Sequence, residues 1–288
     1  MAFLPDPAVE RTHNSRGRFT GGSVASLDEL WAVFVQTLCL GSPDNTPIFG
    51  NGIAKAWACG ARPFEVISGT PHSRFGARMT FGMPPDKQSF AAKFGLPDHP
   101  LGFPEWIGLR TSESGRLVVK MYHLLDSLPP LPVSDSVRRN LHPIMVSLHE
   151  GSREVYARFT ALCEWRDFVM ACLGGLGRSD FSEGNYQPYP KAAENSFAVS
   201  FRFNDESLAS VTLFAYQRAL PDDETTRAAW SRDMSPPEHQ MYELAYAAVR
   251  SLGQRRFGSW HAMLGWTVES DGQTHRAASL RVPLLRRS

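Results

Sequence analysis

Pro63-Phe64-Glu65-Val66-Ile67 is followed by a turn region carrying Gly69, Pro71, His72 and Ser73, and then by Gly76-Ala77-Arg78-Met79-Thr80-Phe81. Two short runs rich in β-branched and aromatic residues, separated by turn formers, read as a β-hairpin. The same signature recurs along the chain. Trp106 to Leu109 and Arg116 to Tyr122 flank a Ser114-Gly115 turn. Ile144 to Leu148 and Glu154 to Phe159 flank Glu150-Gly151-Ser152. Phe197 to Phe203 and Val211 to Tyr216 flank Asn204-Asp205-Glu206, and Trp260 to Val268 turns at Asp271-Gly272 to return through Ala278 to Val282.

Helix signals separate these hairpins. Ser26 with Glu29 forms a capping box ahead of the stripe Leu30, Val33, Phe34 and Leu38. Asp86 opens a short helix through Phe90 and Phe94. Ser134 caps a helix that Pro143 is expected to stop, since proline lacks the N–H the ladder needs. A helix from Trp165 to Leu173 ends at Gly174-Gly175. Asp223 to Trp230 makes another, and Ser235, Pro236 and Glu238 start a last one whose face is Met241, Leu244, Ala245, Ala248 and Leu252.

The repeated order of helix, then hairpin, implies an α+β architecture of ten antiparallel strands. Separate hairpins would leave many unpaired edges. Closing them into one barrel with helices outside removes those edges. An open sheet, or two stacked sheets, is the alternative. Residues 1–24 show no periodicity and read as a loose tail; residues 25–288 read as one barrel domain.

Composition narrows the function. Of 288 residues, 42% are hydrophobic and 20% charged, with a net charge of +1, which disfavours a broad basic nucleic-acid surface. No apolar run approaches the roughly 20 residues of a membrane helix, and no basic-then-apolar export signal opens the chain. Cys39, Cys59, Cys163 and Cys172 form no CxxC pair and no zinc spacing, so they read as reduced thiols of a cytoplasmic protein. No G-x-S-x-G marks a hydrolase nucleophile.

Strand parity points polar side chains at a lumen. Glu65 shares a face with Ile67, and Arg78 with Thr80. Lys120 shares one with Tyr122, and Glu154 with Tyr156 and Arg158. Ser200 pairs with Arg202, Phe214 with Tyr216, and His261 with Met263. Arginine and lysine suit a diphosphate, and phenol rings suit a cation. Together they would favour ionisation of an allylic diphosphate away from water.

These residues resemble a family. Pro63-Phe64-Glu65-Val66-Ile67-Ser68 with Arg78-Met79-Thr80-Phe81 is similar to the first hairpin of the aromatic prenyltransferases of the dimethylallyltryptophan-synthase type, and Val119-Lys120-Met121-Tyr122 to their Lys-x-Tyr strand. The resemblance implies the five-unit αββα (ABBA) barrel. It also implies transfer of an allylic group, most simply dimethylallyl, to an indole or phenolic acceptor, either a small molecule or a peptide side chain; the alternative is a non-catalytic barrel that binds a small hydrophobic or anionic molecule. By resemblance, Glu65 contacts the indole nitrogen. Arg78, Lys120, Arg158 and Arg202 would hold diphosphate, and Tyr122, Tyr156, Tyr216 and His261 would shield the cation or line the substrate. The third hairpin departs from the family: Arg153-Glu154-Val155-Tyr156-Ala157-Arg158 stands where Arg-x-Lys-x-Tyr is usual. No DDxxD motif is present, so basic side chains rather than a bound metal are expected to carry the diphosphate. Neither nucleic acid nor membrane is expected as a partner.

Overall fold

A computed structural model describes residues 46–69, 78–111, 116–149, 151–173, 195–232, 234, 236–251 and 259–282. The tail, the Ser26 helix, the Ser114-Gly115 turn, the Gly174-Gly175 stop, the Ser235 cap and Leu252 lie outside them. The order is α1 (Thr46–Ala58), β1 (Arg62–Gly69), β2 (Arg78–Gly82), α2 (Lys87–Phe94), β3 (Trp106–Thr111), β4 (Leu117–Leu124), α3 (Asp135–Arg138), β5 (Leu141–His149), β6 (Ser152–Phe159) and α4 (Trp165–Leu173). It continues with β7 (Phe197–Asn204), β8 (Ser207–Tyr216), α5 (Asp223–Ser231), α6 (Pro236–Ser251), β9 (His261–Glu269) and β10 (Thr274–Arg281).

Ten antiparallel strands close into a barrel in which each pairs with its chain neighbour and β1 pairs with β10. Closure satisfies every strand edge. Parity then sorts the side chains. In β7, Phe197, Val199 and Phe201 point outward, and Ala198, Ser200 and Arg202 inward. The outward residues bury themselves under helices. Trp165 and Phe168 of α4 pack on Phe197, and Trp230 of α5 meets Trp266 edge-on at 5.1 Å. On the other flank Ile53 of α1, Phe90 of α2 and Tyr246 of α6 share a cluster with Phe81, Ile107 and Leu280. Each such side chain contributes about 1.5–3 kcal/mol by leaving water.

Helix starts follow their caps. Asp86 accepts from the Ser89 N–H at 3.0 Å, and Asp222 from Thr225 N–H at 3.0 Å. Gly95, at φ 83°, ends α2. The β7–β8 turn places Asp205 and Glu206 at positive φ, 52° and 83°, the twist that suits a tight hairpin.

Pro143 departs from expectation. It ends no helix: α3 stops at Arg138, and Pro143 lies inside β5. The register shifts between Pro143 and Met145, so the missing N–H falls at a bulge, where a sheet tolerates it. Further shifts occur at Pro63/Glu65, Arg202/Phe203 and Ser279/Leu280. Such bulges add the local twist that closure needs.

Candidate active site

The barrel interior holds a cavity of about 610 Å³, a size that suits a small-molecule substrate pair. Its mouth lies at the hairpin ends, near Asn204, Ser270 and Asp271. Its floor is an aromatic and thioether layer. The Tyr122 and Tyr156 rings lie 6.1 Å apart, Tyr156 and Phe214 also 6.1 Å, and Trp106, Met145 and Met263 complete the cluster.

Glu65 opens into this cavity from β1 and is only 5% exposed. The register shift after Pro63 inserts Phe64 as an extra residue just ahead of it. Ser279 Oγ donates to the Glu65 carboxylate. Burial raises the affinity of Glu65 for a proton above that of an ordinary carboxylate, and the Ser279 bond and the charges of Arg78 and Arg281 only partly offset it.

Arg78 and Lys120 reach the cavity from β2 and β4. The Arg78 guanidinium lies 6.0 Å from the Tyr122 ring centre. Gly108, between them on β3, makes room: a Cβ there would sit 3.0 Å from Arg78 Cδ and 3.4 Å from Tyr122. Lys120 Nζ lies 5.5 Å from both the Tyr122 and Tyr156 ring centres and 3.0 Å from the Tyr156 hydroxyl. These faces form a site for positive charge.

Lys120 does not stand alone. Its ammonium donates to Glu154, whose other carboxylate oxygen takes the Ser200 hydroxyl. Burial pulls Lys120 down to about 8, with Glu154 resisting the change. Burial pushes Glu154 up, but the Lys120 charge and the hydrogen bonds from Lys120 and Ser200 outweigh it and bring the group to about 2. Both are ionised at neutral pH. Burial also lifts Tyr122 to about 12, so its ring stays a neutral phenol.

Arg202 lines the mouth, where Nη2 donates to Glu269 Oε2 at 2.7 Å. The described lining thus carries four strong cations, Arg78, Arg110, Lys120 and Arg202, against four carboxylates, Glu65, Glu154, Glu269 and Asp271.

Three sequence-predicted residues fall elsewhere. Arg158 and Tyr216 share the inward faces of Tyr156 and Phe214 but lie one step further from the mouth, below the aromatic floor, and do not line the cavity. His261 points away from the lumen altogether. Ser279 faces Met263 while Leu280 faces His261, so Ala262 is a bulged extra residue and His261 turns to the outer face. There His261 Nδ1 donates to Asp223 of α5 at 2.8 Å, and its Nε2 meets the Tyr242 hydroxyl of α6 at 2.7 Å. The sequence reading placed Glu154 on the lumen face without giving it a role, and missed Ser279, Gly108 and Glu269 as members of the site. Strand parity carried to the end of β10 would have found Ser279.

No family model and no curated protein matches the chain. Solved structures do. Prenyltransferase PriB in its apo form is 13% identical with a TM-score of 0.60, over 92% of this chain and 100% of that one. The 5-dimethylallyltryptophan synthase of Streptomyces coelicolor is 15% identical with a TM-score of 0.55, over 90% and 98%. The 6-dimethylallyltryptophan synthase of Micromonospora olivasterospora, solved in complex with DMASPP and Trp, is 13% identical with a TM-score of 0.54, over 91% and 98%. With the strand order and closure described above, these likenesses establish that the chain has the ten-stranded αββα prenyltransferase barrel fold.

Proposed function

We propose that the chain is an aromatic prenyltransferase. It moves an allylic group, dimethylallyl in the simplest case, from its diphosphate to an indole or phenolic acceptor. The observation that carries this reading is convergence: Glu65, Arg78, Lys120, Tyr122 and Tyr156, from four different strands, all line one cavity of a closed barrel. The solved relative bound to DMASPP and Trp supports the same pair of substrates.

Arg78 and Lys120 hold the diphosphate and stabilise the charge that builds on it as the allylic C–O bond breaks. Arg202 steers the anion at the mouth. The ring faces of Tyr122 and Tyr156 stabilise the allylic cation and keep water from it. Glu65 accepts a hydrogen bond from the acceptor N–H or O–H and raises the nucleophilicity of the ring. The aromatic carbon attacks, a C–C bond forms, diphosphate leaves, and a basic group takes the ring proton on rearomatisation. Arg158 and Tyr216 support the floor instead of touching the donor. Basic side chains supply the positive charge, so this chemistry has no strict metal requirement. The reading includes a cytoplasmic setting, supported by free thiols at Cys59, Cys163 and Cys172.

The test is product mass. Incubation with dimethylallyl diphosphate and a panel of tryptophan, indoles and phenols is expected to add one isoprenyl unit to at least one acceptor. A panel left unmodified, by enzyme that binds the donor, overturns the assignment.

A further inference from the structure

We infer that Glu154 is a specificity-determining residue: a built-in carboxylate that competes with a bound diphosphate for Lys120 and so limits how tightly the diphosphate product is held. The inference rests on the prenyltransferase reading above.

Glu154 sits on β6 with its side chain in the cavity, 13% exposed. In the register it lies between Ser147 and Arg202. Its two oxygens are taken by Lys120 Nζ and by Ser200 Oγ, donors that an anion in the lumen would otherwise use. The carboxylate therefore fills the place of an anion before any substrate arrives. Glu269 does the same to Arg202 at the mouth. Lys120 and Arg202, two of the cations an entering diphosphate would meet, are thus each already engaged by a carboxylate.

The consequence is a matter of sign. A carboxylate in a poorly solvated site, close to where a multiply charged anion must bind, repels it with little screening. The repulsion acts on substrate and on product, but it weighs most on the released diphosphate, which lacks the apolar tail that anchors the donor. Glu154 thereby favours departure of the product and leaves the apolar contacts of the allyl group to decide which diphosphates are retained. A structural role alone, holding Lys120 in place, predicts the opposite: loss of Glu154 would loosen the lysine and weaken anion binding.

Isothermal titration of inorganic pyrophosphate separates the two, run below neutral pH so that Lys120 keeps its proton once Glu154 no longer raises its proton affinity. The wild-type chain is expected to bind it. Glu154→Gln, which removes the charge and keeps the shape, is expected to bind at least tenfold tighter and to show correspondingly stronger product inhibition. Glu154→Asp, which keeps the charge, is expected to stay within about threefold of wild type. Glu154→Ser provides a second neutral replacement if the Gln variant does not fold, with the same tightening expected. Equal or weaker pyrophosphate binding by the neutral variants overturns the inference while leaving the transferase reading intact. Failure of the wild type and of every folded neutral variant to bind pyrophosphate sinks the diphosphate reading itself, and this inference with it.

Discussion

Ser279 donates its hydroxyl to the Glu65 carboxylate across the seam that closes the barrel, joining residues 214 positions apart in the chain. The bond exists only because β1 and β10 are neighbours. It stabilises the charged form of a carboxylate that burial drives toward the acid.

Two outcomes follow for Glu65. Glu65→Gln is expected to cut turnover at least about 100-fold while pyrophosphate affinity stays within about threefold, because the proposed role of the carboxylate is toward the acceptor and not the donor. Ser279→Ala removes the bond that favours the ionised form. The Glu65 carboxyl then holds its proton to higher pH, and the acid limb of kcat/KM moves upward. An unmoved limb removes Ser279 from this role, and wild-type turnover by the Gln variant removes Glu65.

Lys120 sets the alkaline side. Its affinity for a proton is pulled down from 10.5 to about 8 by burial. The ammonium is therefore present below about pH 8 and is lost as pH rises through that value. Donor affinity is expected to fall by up to about tenfold for each further pH unit. Lys120→Arg keeps its charge, so its donor affinity should stay level through about pH 9. A wild-type donor KM that is flat across this range contradicts the assignment.

Much of this site was legible in the sequence because strand parity is a local rule. Glu65, Arg78, Lys120, Tyr122 and Tyr156 follow from alternation within single strands, and all five line the cavity. Four placements needed information that alternation lacks. His261 is turned outward by the bulge at Ala262, and nothing in Trp260-His261-Ala262-Met263 announces a bulge. Arg158 and Tyr216 have the right face, but their depth depends on how the strands stack around the ring. Pro143 sits in a strand because a bulge excuses its missing N–H, a tertiary circumstance that its helix-stopping chemistry could not foretell.

Gly108 illustrates a residue whose importance is the absence of a side chain. Gly108→Ala places a methyl 3.0 Å from Arg78 Cδ and 3.4 Å from the Tyr122 ring. Tyr122 is packed among Tyr156 and Trp106, so the arginine must shift. A displacement of a few tenths of an ångström in an arginine proposed to hold the diphosphate is expected to raise the donor KM about tenfold. The acceptor KM should stay near wild type. Unchanged donor kinetics in a folded Gly108→Ala protein would show that Arg78 can yield without cost.

The His261 pair makes the opposite kind of prediction, one of stability without kinetics. The Asp223 carboxylate accepts the Trp260 N–H at 3.0 and 2.9 Å, the Ser259 hydroxyl at 2.7 Å and His261 Nδ1 at 2.8 Å. Through the Tyr242 contact the network ties β9 to α5 and α6. Burial pushes the Asp223 carboxyl up, but the hydrogen bonds from His261, Ser259 and the Trp260 backbone outweigh it and hold the group well below the usual carboxylate range. Its contribution to stability is therefore complete above the unfolded value of about 4 and is lost as pH falls toward the depressed folded value. Asp223→Ala strands several buried donors and is expected to cost about 3 kcal/mol in denaturant unfolding near neutral pH. The gap between wild type and Asp223→Asn should narrow as the solution is acidified below about pH 4, because the wild-type carboxylate loses its advantage there. Donor and acceptor constants of the folded variants should match wild type. A variant that loses donor affinity while keeping its stability would return His261 to the barrel cavity and contradict the outward turn at Ala262.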